Sequence, residues 1–276
     1  MSFIDKLKYS VARNNSLLCV GLDPNLDNIP NHLIKDVSSI VKFNKAIIDA
    51  TVEHVCCFKP NSAFYESHGA DGIVALRETT DYIRAKYPHM PVLLDAKRGD
   101  IGNTNKQYVA YAFEYIMADA VTVHPYQGAE AVAPYFNDPD KGVFVLAKTS
   151  NPDSAQFQNI QTDGAPLYEK VIKEFLKEHT KGNCFFVAGA TYPRELKQIR
   201  TLIGEAPLLV PGVGAQGGDV KMMVEAAVNS EGEGLIINAS RGVLYKSSDK
   251  DFAEAAEQEA KRLKEEINQH RPAPKK

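Results

Sequence analysis

The sequence predicts one α/β domain with the architecture of a (β/α)8 TIM barrel, in which eight parallel strands alternate with helices. Short apolar runs alternate with segments of helical spacing eight times along the 276 residues, and polar side chains recur where the runs end. A single barrel commonly takes roughly 250 residues, so we expect residues 1–270 to form one domain. The composition of residues 271–276 predicts a disordered tail.

The apolar runs are short enough to be buried strands, and the segments between them are long enough to be helices. The candidate strands cover residues 17–21, 55–59, 92–95, 120–124, 142–147, 184–188, 208–211 and 234–238. Between them, apolar residues recur at intervals of three or four, as expected for helices packed against a sheet. This spacing is clearest in Ile40, Phe43, Ile47 and Ala50, and in Phe252, Ala256, Ala260, Leu263 and Ile267.

Polar residues at the ends of successive runs favour a closed barrel over a doubly wound open sheet, which shares the same alternation of strands and helices. In a barrel the carboxyl ends of all strands form one rim, where the active site lies, whereas an open sheet would spread the same residues out. The residues predicted to lie on this rim are Asp23, Lys59, Asp95, Lys97, His124, Ser150, Thr191, Gln216, Ser240 and Arg241.

Composition and charge exclude several classes of protein. A hydrophobic content of 44%, a charged content of 24% and a net charge of -3 argue against a nucleic-acid-binding or polybasic membrane protein. No apolar run approaches the roughly 20 residues of a membrane span, and the first residues lack the pattern of a signal peptide. We therefore expect a cytoplasmic protein that binds neither nucleic acid nor membrane.

The cysteines and histidines predict no metal site. The four cysteines, Cys19, Cys56, Cys57 and Cys184, lie inside apolar runs without a CxxC pair, which is typical of buried thiols. The seven histidines are scattered and lack the spacing of metal ligands.

The segment from Asp95 to Asp100 places two carboxylates and an ammonium at the end of a buried strand. Side chains two apart on a strand face the same side, so we expect Asp95 and Lys97 to project together, with Asp100 in the following loop. Taken alone, this cluster fits either a salt-bridge network that plugs the barrel mouth or a catalytic group.

The string Asp-Ala-Lys-Arg-Gly-Asp-Ile-Gly-Asn-Thr at residues 95–104 resembles the signature of orotidine 5'-phosphate decarboxylases, in the version of the longer bacterial subfamily. Further matches lie in order along most of the chain, at residues 21–25, 58–66, 148–150, 211–218 and 240–241. The resemblance implies decarboxylation of orotidine 5'-monophosphate to UMP, the last step of pyrimidine nucleotide synthesis, without a cofactor.

The resemblance also implies an alternating array of Lys59, Asp95, Lys97 and Asp100 as the catalytic group. Loss of CO2 from a vinylic carbon leaves a carbanion without a neighbouring carbonyl, and a fixed ammonium can both stabilise and protonate that carbon. We therefore assign Lys97 as the proton donor, in an array where opposite charges favour the ionised forms. Asp95 would lie near the substrate carboxylate and repel it, although stabilisation of the carbanion is the larger expected contribution.

Other matched positions imply contacts with the rest of the nucleotide. Asp23 would accept hydrogen bonds from ribose hydroxyls, and Ser150 would bind the pyrimidine edge, although Thr149 is an alternative for this contact. The phosphate would bind after the seventh and eighth strands, where glycines allow close backbone approach. The residues assigned there are Pro211, Gln216, Ser240 and Arg241.

In the family that the chain resembles, Asp100, Ile101 and Thr104 reach the site of a second subunit, so the resemblance implies a homodimer with shared active sites.

Two other functions remain open. One is a magnesium-dependent decarboxylase or lyase of sugar phosphates, which would need acidic metal ligands where Lys59 stands. The other is a silent phosphometabolite-binding barrel.

Residues 151–164, after the fifth strand, are either a lid or a surface insertion.

Overall fold

A computed structural model of the chain describes residues 1–190, 193–212 and 220–272. Eight strands form one parallel sheet, and all their side chains except a few at the rim are buried, as expected for strands covered by helices. We number them β1 to β8 along the chain. They are β1 (Leu18–Leu22), β2 (Cys57–Pro60), β3 (Leu93–Arg98), β4 (Ala120–Val123), β5 (Gly142–Lys148), β6 (Cys184–Ala188), β7 (Leu208–Pro211) and β8 (Leu235–Ala239).

The sheet is a barrel because its first strand pairs with both the second and the last. Strand β1 pairs with β2 and with β8, and the remaining neighbours follow in chain order from β8 back to β3. Two single parallel bridges, Phe58 to Val92 and Asn61 to Asp95, join β2 to β3 and complete the ring. The (β/α)8 TIM barrel prediction is confirmed, and the open sheet is excluded by this pairing.

Helices follow the strands and cover the outside of the barrel. The longer ones are Phe3–Asn14, Val37–Thr51, Gly69–Lys86, Gly102–Val109, Leu167–Glu178, Pro193–Ile203, Val220–Ala227 and Phe252–Gln269. Short helices cover Ala63–Glu66, Ala155–Gln158 and Arg241–Leu244, a π-helical segment covers Ala110–Tyr115, and 3-10 turns cover Val52–His54, Ala133–Phe136 and Pro152–Ser154. Both segments with the clearest apolar spacing, in Val37–Thr51 and Phe252–Gln269, are helices whose apolar faces are buried.

The first helix lies at the amino-terminal ends of the strands. Its start is fixed by a capping box in which Ser2 and Asp5 exchange hydrogen bonds. The buried Phe3 packs edge-to-face on Phe144 of β5, with 5.6 Å between ring centroids. This packing fills the end of the barrel opposite the rim.

The stretch 151–164 after β5 contains regular structure. It holds the turn Pro152–Ser154 and the helix Ala155–Gln158, and its last residues pair Gln161–Thr162 with Ala165–Pro166 in a two-stranded hairpin. Hydrogen bonds tie it to the end of β5, since Gln158 bonds both the backbone N–H and the hydroxyl of Thr149 at 2.9 and 2.8 Å.

Among the described residues, no helix is long and apolar enough to cross a membrane.

Candidate active site

The centre of the rim is an irregularity in the pairing of β3 with β4. Leu94 pairs with Val121 and Arg98 with Val123, so Asp95, Ala96 and Lys97 lie opposite the single residue Thr122. Lys97 has a φ of +46°, a left-handed conformation that is rare for a residue other than glycine. The sequence-based expectation of a regular strand is therefore wrong at this point, although Asp95 and Lys97 do meet as predicted.

The Asp95 carboxylate is held between two lysines. Its Oδ2 lies 2.9 Å from the Nζ of Lys59 on β2, and its Oδ1 lies 2.6 Å from the Nζ of Lys97. The two ammonium groups differ in exposure, because 3% of the Lys59 side chain is accessible to solvent against 49% of the Lys97 side chain. The sequence-predicted residues Lys59, Asp95 and Lys97 thus form one cluster with a buried and an open end.

This pairing fixes the charges of the buried members. Burial by itself would raise the pKa of Asp95, but the charges of Lys59 and Lys97 outweigh it and hold that pKa well below 3.8. Burial likewise opposes the charge on Lys59, yet Asp95 and Asp23 raise the pKa of the Lys59 ammonium above 10.5. Both groups are therefore ionised throughout the physiological range of pH.

Asp23 follows β1 beside this cluster. Its Oδ1 is buried and accepts no hydrogen bond from the described residues. Its backbone is held by Tyr245, whose hydroxyl donates to the Asp23 carbonyl at 3.0 Å and accepts from the Asn25 N–H at 2.7 Å. A buried carboxylate oxygen without a partner is rare in proteins, and a ligand hydroxyl would satisfy it.

Asp100, Ile101 and Thr104 lie apart from the cluster, in the loop after β3 and the first turn of the helix Gly102–Val109. The Asp100 carboxylate accepts the Ile101 N–H at 2.7 Å, and the described residues offer it no ion pair. The buried Asn105 holds the loop by bonding both backbone polar groups of Asp100. The structure therefore brings three of the four predicted catalytic residues together within the chain, and Asp100 is not among them.

Ser150 and Thr149 follow β5 in different environments. The Thr149 hydroxyl is engaged by the next loop, since it donates to Asn151 at 2.6 Å and accepts from Gln158. Ser150 packs against Gly189 at the end of β6, where a β-carbon on that glycine would lie 2.7 Å from both the Cβ and the N of Ser150. Only glycine at 189 leaves room for this approach of two strand ends.

The residues predicted to bind phosphate lie after β7 and β8. Pro211 ends β7 opposite Asn238, and Asn238 donates to the Ser240 hydroxyl at 3.2 Å. Arg241 begins the helix Arg241–Leu244 with an exposed side chain. The predicted phosphate ligand Gln216 and the rim residue Thr191 lie outside the described residues.

Thr122 was missed by the sequence analysis, because a threonine inside an apolar run indicates only a strand. Its hydroxyl donates to Asp95 Oδ1 at 2.8 Å and accepts the Lys97 N–H at 2.9 Å. Asn105 was missed as well, since an asparagine in a helix carries no sequence signal. The described part of the chain contains no group of three or more acidic, histidine or cysteine side chains arranged to hold a metal ion.

Comparisons with known proteins identify the family of the chain. The sequence model of the orotidine 5'-phosphate decarboxylase / HUMPS family matches residues 16–258. The chain is 48% identical to the orotidine 5'-phosphate decarboxylase of Cellvibrio japonicus, over 97% of this chain and 98% of that protein.

Solved structures give the same result. The structure of Leishmania donovani OMP decarboxylase superposes with a TM-score of 0.84 at 38% identity, covering 98% of this chain and 99% of the other. That of Leishmania donovani UMP synthase superposes with a TM-score of 0.87 at 40% identity, covering 98% of this chain and 56% of the longer one. On these matches and on its barrel, the chain belongs to the orotidine 5'-phosphate decarboxylase family.

Proposed function

We propose that this chain converts orotidine 5'-monophosphate to UMP and CO2 without a cofactor, as a step of pyrimidine nucleotide synthesis. The observation that carries the proposal is the Asp95 carboxylate fixed between the ammonium groups of Lys59 and Lys97 on the barrel rim. The relatives named orotidine 5'-phosphate decarboxylase, matched over nearly the whole chain, support the same reaction.

In the proposed reaction, the bond between the pyrimidine ring and the carboxylate breaks, and its electron pair stays on the ring carbon. The Lys97 ammonium faces the open side of the cluster, stabilises this carbanion and transfers a proton to the carbon. The neutral amine then recovers a proton from water. Because these charges are in place before the reaction, little reorganisation is needed as the negative charge develops.

Asp95 and Lys59 support Lys97 in different ways. Asp95 aims the Lys97 ammonium, and it stands where it would repel the substrate carboxylate and favour loss of CO2. Lys59 neutralises the buried face of Asp95, so the carboxylate is tolerated in the barrel. We attribute most of the rate to Lys97, because preorganised electrostatic stabilisation is usually the largest single contribution.

The remaining rim residues suit the other parts of the nucleotide. The buried Asp23 Oδ1, which accepts no hydrogen bond from the described residues, would accept one from a ribose hydroxyl. Ser150 would bind the pyrimidine edge, as the family resemblance implies, and Thr149 is the alternative for this contact. Arg241 offers a planar donor fork to the phosphate together with Gln216, Ser240 and the end of β7 at Pro211.

We further propose a cytoplasmic homodimer in which Asp100, Ile101 and Thr104 complete the partner's active site. Ile101 is 63% exposed and Tyr126, after β4, is 91% exposed, so both offer apolar surface that a partner subunit would bury. Four free, buried cysteines are consistent with a reducing compartment.

The two other functions make different predictions. A magnesium-dependent sugar-phosphate lyase would need a carboxylate ligand at the end of β2, but Lys59 stands there and pairs with Asp95. A barrel that only binds a phosphometabolite would not need the buried ion pair of Lys59 and Asp95 beside the half-exposed Lys97.

The test is the loss of orotidine monophosphate absorbance after purified protein has been treated with EDTA. We expect rapid turnover that chelation does not reduce. No turnover of the nucleotide, together with Mg²⁺-dependent turnover of a keto sugar phosphate, would favour the sugar-phosphate lyase. Folded protein that shows a nucleotide-dependent rise in melting temperature without product would favour the silent binder.

A further inference from the structure

We propose that Thr122 is a positioning residue, which fixes both the backbone and the ammonium group of Lys97 through a single hydroxyl. The inference rests on the proposed decarboxylation and goes beyond it, because Thr122 would not touch the substrate. It would act by holding the proton donor at the open end of the cluster.

The pairing of β3 with β4 is interrupted at Thr122. Between Leu94 and Arg98, three residues of β3 lie opposite Thr122 alone, so the ladder of backbone hydrogen bonds is interrupted. The Lys97 N–H bonds the Thr122 hydroxyl at 2.9 Å in place of a carbonyl of β4. The Thr122 side chain thus replaces the backbone partner that the bulge removes.

The Thr122 hydroxyl also holds the Asp95 carboxylate. The same hydroxyl donates its hydrogen to Asp95 Oδ1 at 2.8 Å, and this oxygen also accepts the Lys97 Nζ at 2.6 Å. A hydroxyl has one hydrogen to donate and lone pairs to accept, so both bonds form together. Thr122 therefore holds Lys97 directly at its N–H and indirectly through Asp95 at its ammonium.

The backbone of Lys97 is strained. Lys97 has a left-handed φ of +46°, which a non-glycine residue keeps only where its surroundings enforce it. Thr122 is 1% exposed, so water cannot replace the hydroxyl without a rearrangement. When the hydroxyl is removed, we expect the Lys97 backbone to relax and its ammonium to leave the place where the substrate carbon is protonated.

The experiment compares Thr122→Val, which keeps the shape and removes the hydroxyl, with Thr122→Ser, which keeps the hydroxyl. For Thr122→Val we expect kcat to fall about 10- to 100-fold, the usual effect of losing a hydrogen bond to a charged group. We expect KM for orotidine monophosphate to change less than about threefold, because the substrate contacts remain. Thr122→Ser should restore most of kcat.

The matched control is Thr80→Val. The Thr80 hydroxyl also lies within hydrogen-bond distance of two groups, the carbonyls of Arg77 and Ile116 at 2.9 and 2.8 Å, which share its one hydrogen, but it lies in the helix Gly69–Lys86. This substitution should lower the melting temperature and leave kcat unchanged. A Thr122→Val protein with the kcat of wild type, or a Thr122→Ser protein as impaired as Thr122→Val, would overturn the proposal.

A crystal structure of the Thr122→Val protein separates this proposal from the proposed reaction. We expect Lys97 to leave the left-handed region, and a Lys97 backbone and ammonium unchanged in place would refute the positioning role whatever the activity. If wild-type protein does not decarboxylate the nucleotide, the proposed function fails and this structure alone decides the role of Thr122. Thr122→Ala replaces Thr122→Val in both measurements if the valine variant does not fold.

Discussion

Lys59 and Lys97 contact the same carboxylate, yet their surroundings give them different chemical capacities. Lys59 is enclosed by β1, β2 and β3, and its charge serves to keep Asp95 ionised inside the barrel. Lys97 makes the second contact from a half-exposed position, so its ammonium is accessible to a substrate above the rim. The asymmetry supports the proposal that Lys97 is the reacting lysine and Lys59 its support.

We expect Lys97→Ala to lower kcat at least about 10⁴-fold, because it removes a general acid and a preorganised charge together. The melting temperature should stay close to that of wild type, since the side chain is half exposed. The measurement is orotidine monophosphate absorbance beside a thermal unfolding curve. Lys8→Ala, an exposed lysine on the first helix, is the control and should keep full activity. Substantial turnover by Lys97→Ala would contradict the assignment.

The ionised Asp95 carboxylate makes the stability of the protein depend on pH. Asp95→Asn removes the anion between two ammonium groups and leaves Lys59 buried without its partner, which costs about 3–5 kcal/mol at pH 7. Because the pKa of Asp95 is lower in the folded state than its ordinary 3.8, its stabilisation is complete above pH 4. It is lost progressively as the pH falls below 3.8 towards the lower pKa of the folded state.

Urea unfolding of wild type and Asp95→Asn at several pH values checks this sign. The difference in free energy of unfolding should be largest near neutral pH and should shrink below pH 4. Asp249→Asn, at an exposed position, should match wild type at every pH. A difference that grows on acidification would show that the lysines do not stabilise the ionised carboxylate.

At the scale of single elements, the ends of neighbouring strands approach so closely that particular positions accept only glycine. Gly189 after β6 has no room for a β-carbon beside Ser150, and a β-carbon on Gly21 in β1 would lie 2.0 Å from the Ser240 hydroxyl. Gly189 meets the backbone and Cβ of Ser150, whereas Gly21 meets the side chain of Ser240, so both close contacts lie at predicted substrate-binding residues. The rim is therefore shaped by small residues as well as by charged ones.

We expect Gly189→Ala to push the Ser150 backbone away from β6 and to destabilise the protein by about 1–3 kcal/mol, the usual cost of overpacking. The proposed pyrimidine contact would be misplaced, so KM for orotidine monophosphate should rise about tenfold. Steady-state kinetics and urea unfolding measure both effects. Gly242→Ala, where a β-carbon has nothing within 4 Å, is the stability control. An unchanged KM for Gly189→Ala would argue against Ser150 as the pyrimidine ligand.

At the scale of the whole molecule, the separation of Asp100 from the other predicted catalytic residues has a direct consequence. Among the described residues, the half-buried Asp100 lies in the loop after β3 and does not join Lys59, Asp95 and Lys97. The proposed homodimer would bring the Asp100 of one subunit to the Lys97 of the other. Each active site would then need both subunits.

Complementation between two inactive variants tests this arrangement. Lys97→Ala and Asp100→Asn should each be inactive alone. After the two proteins are mixed and their subunits exchange, half of the dimers are mixed, and each mixed dimer has one site with both residues intact. About a quarter of the wild-type activity should return, as expected for a two-fold dimer. No recovery after verified subunit exchange would show that each site is built from one chain.

The sequence allowed the strands to be predicted because burial imposes a local pattern on each of them. All eight candidate runs match observed strands to within a few residues, and the segments around Phe43 and Ala260 are helices as expected. The meeting of Asp95 and Lys97 was also predictable, since the two residues stand two positions apart in the sequence. The roles of all the predicted catalytic and substrate-binding residues stay predictions, as does the disordered tail, of which residues 273–276 lie outside the described chain.

By itself the sequence determined the barrel, the order of its strands and the residue types at their carboxyl ends, because hydrophobic periodicity and motif strings are local properties of a chain. Only the tertiary structure decided that Lys59 is buried and Lys97 open, that the pairing of β3 with β4 is interrupted at Thr122, and that Asp100 stands apart. Each of these facts depends on which residues of distant strands face one another, and that register is fixed by closure of the barrel.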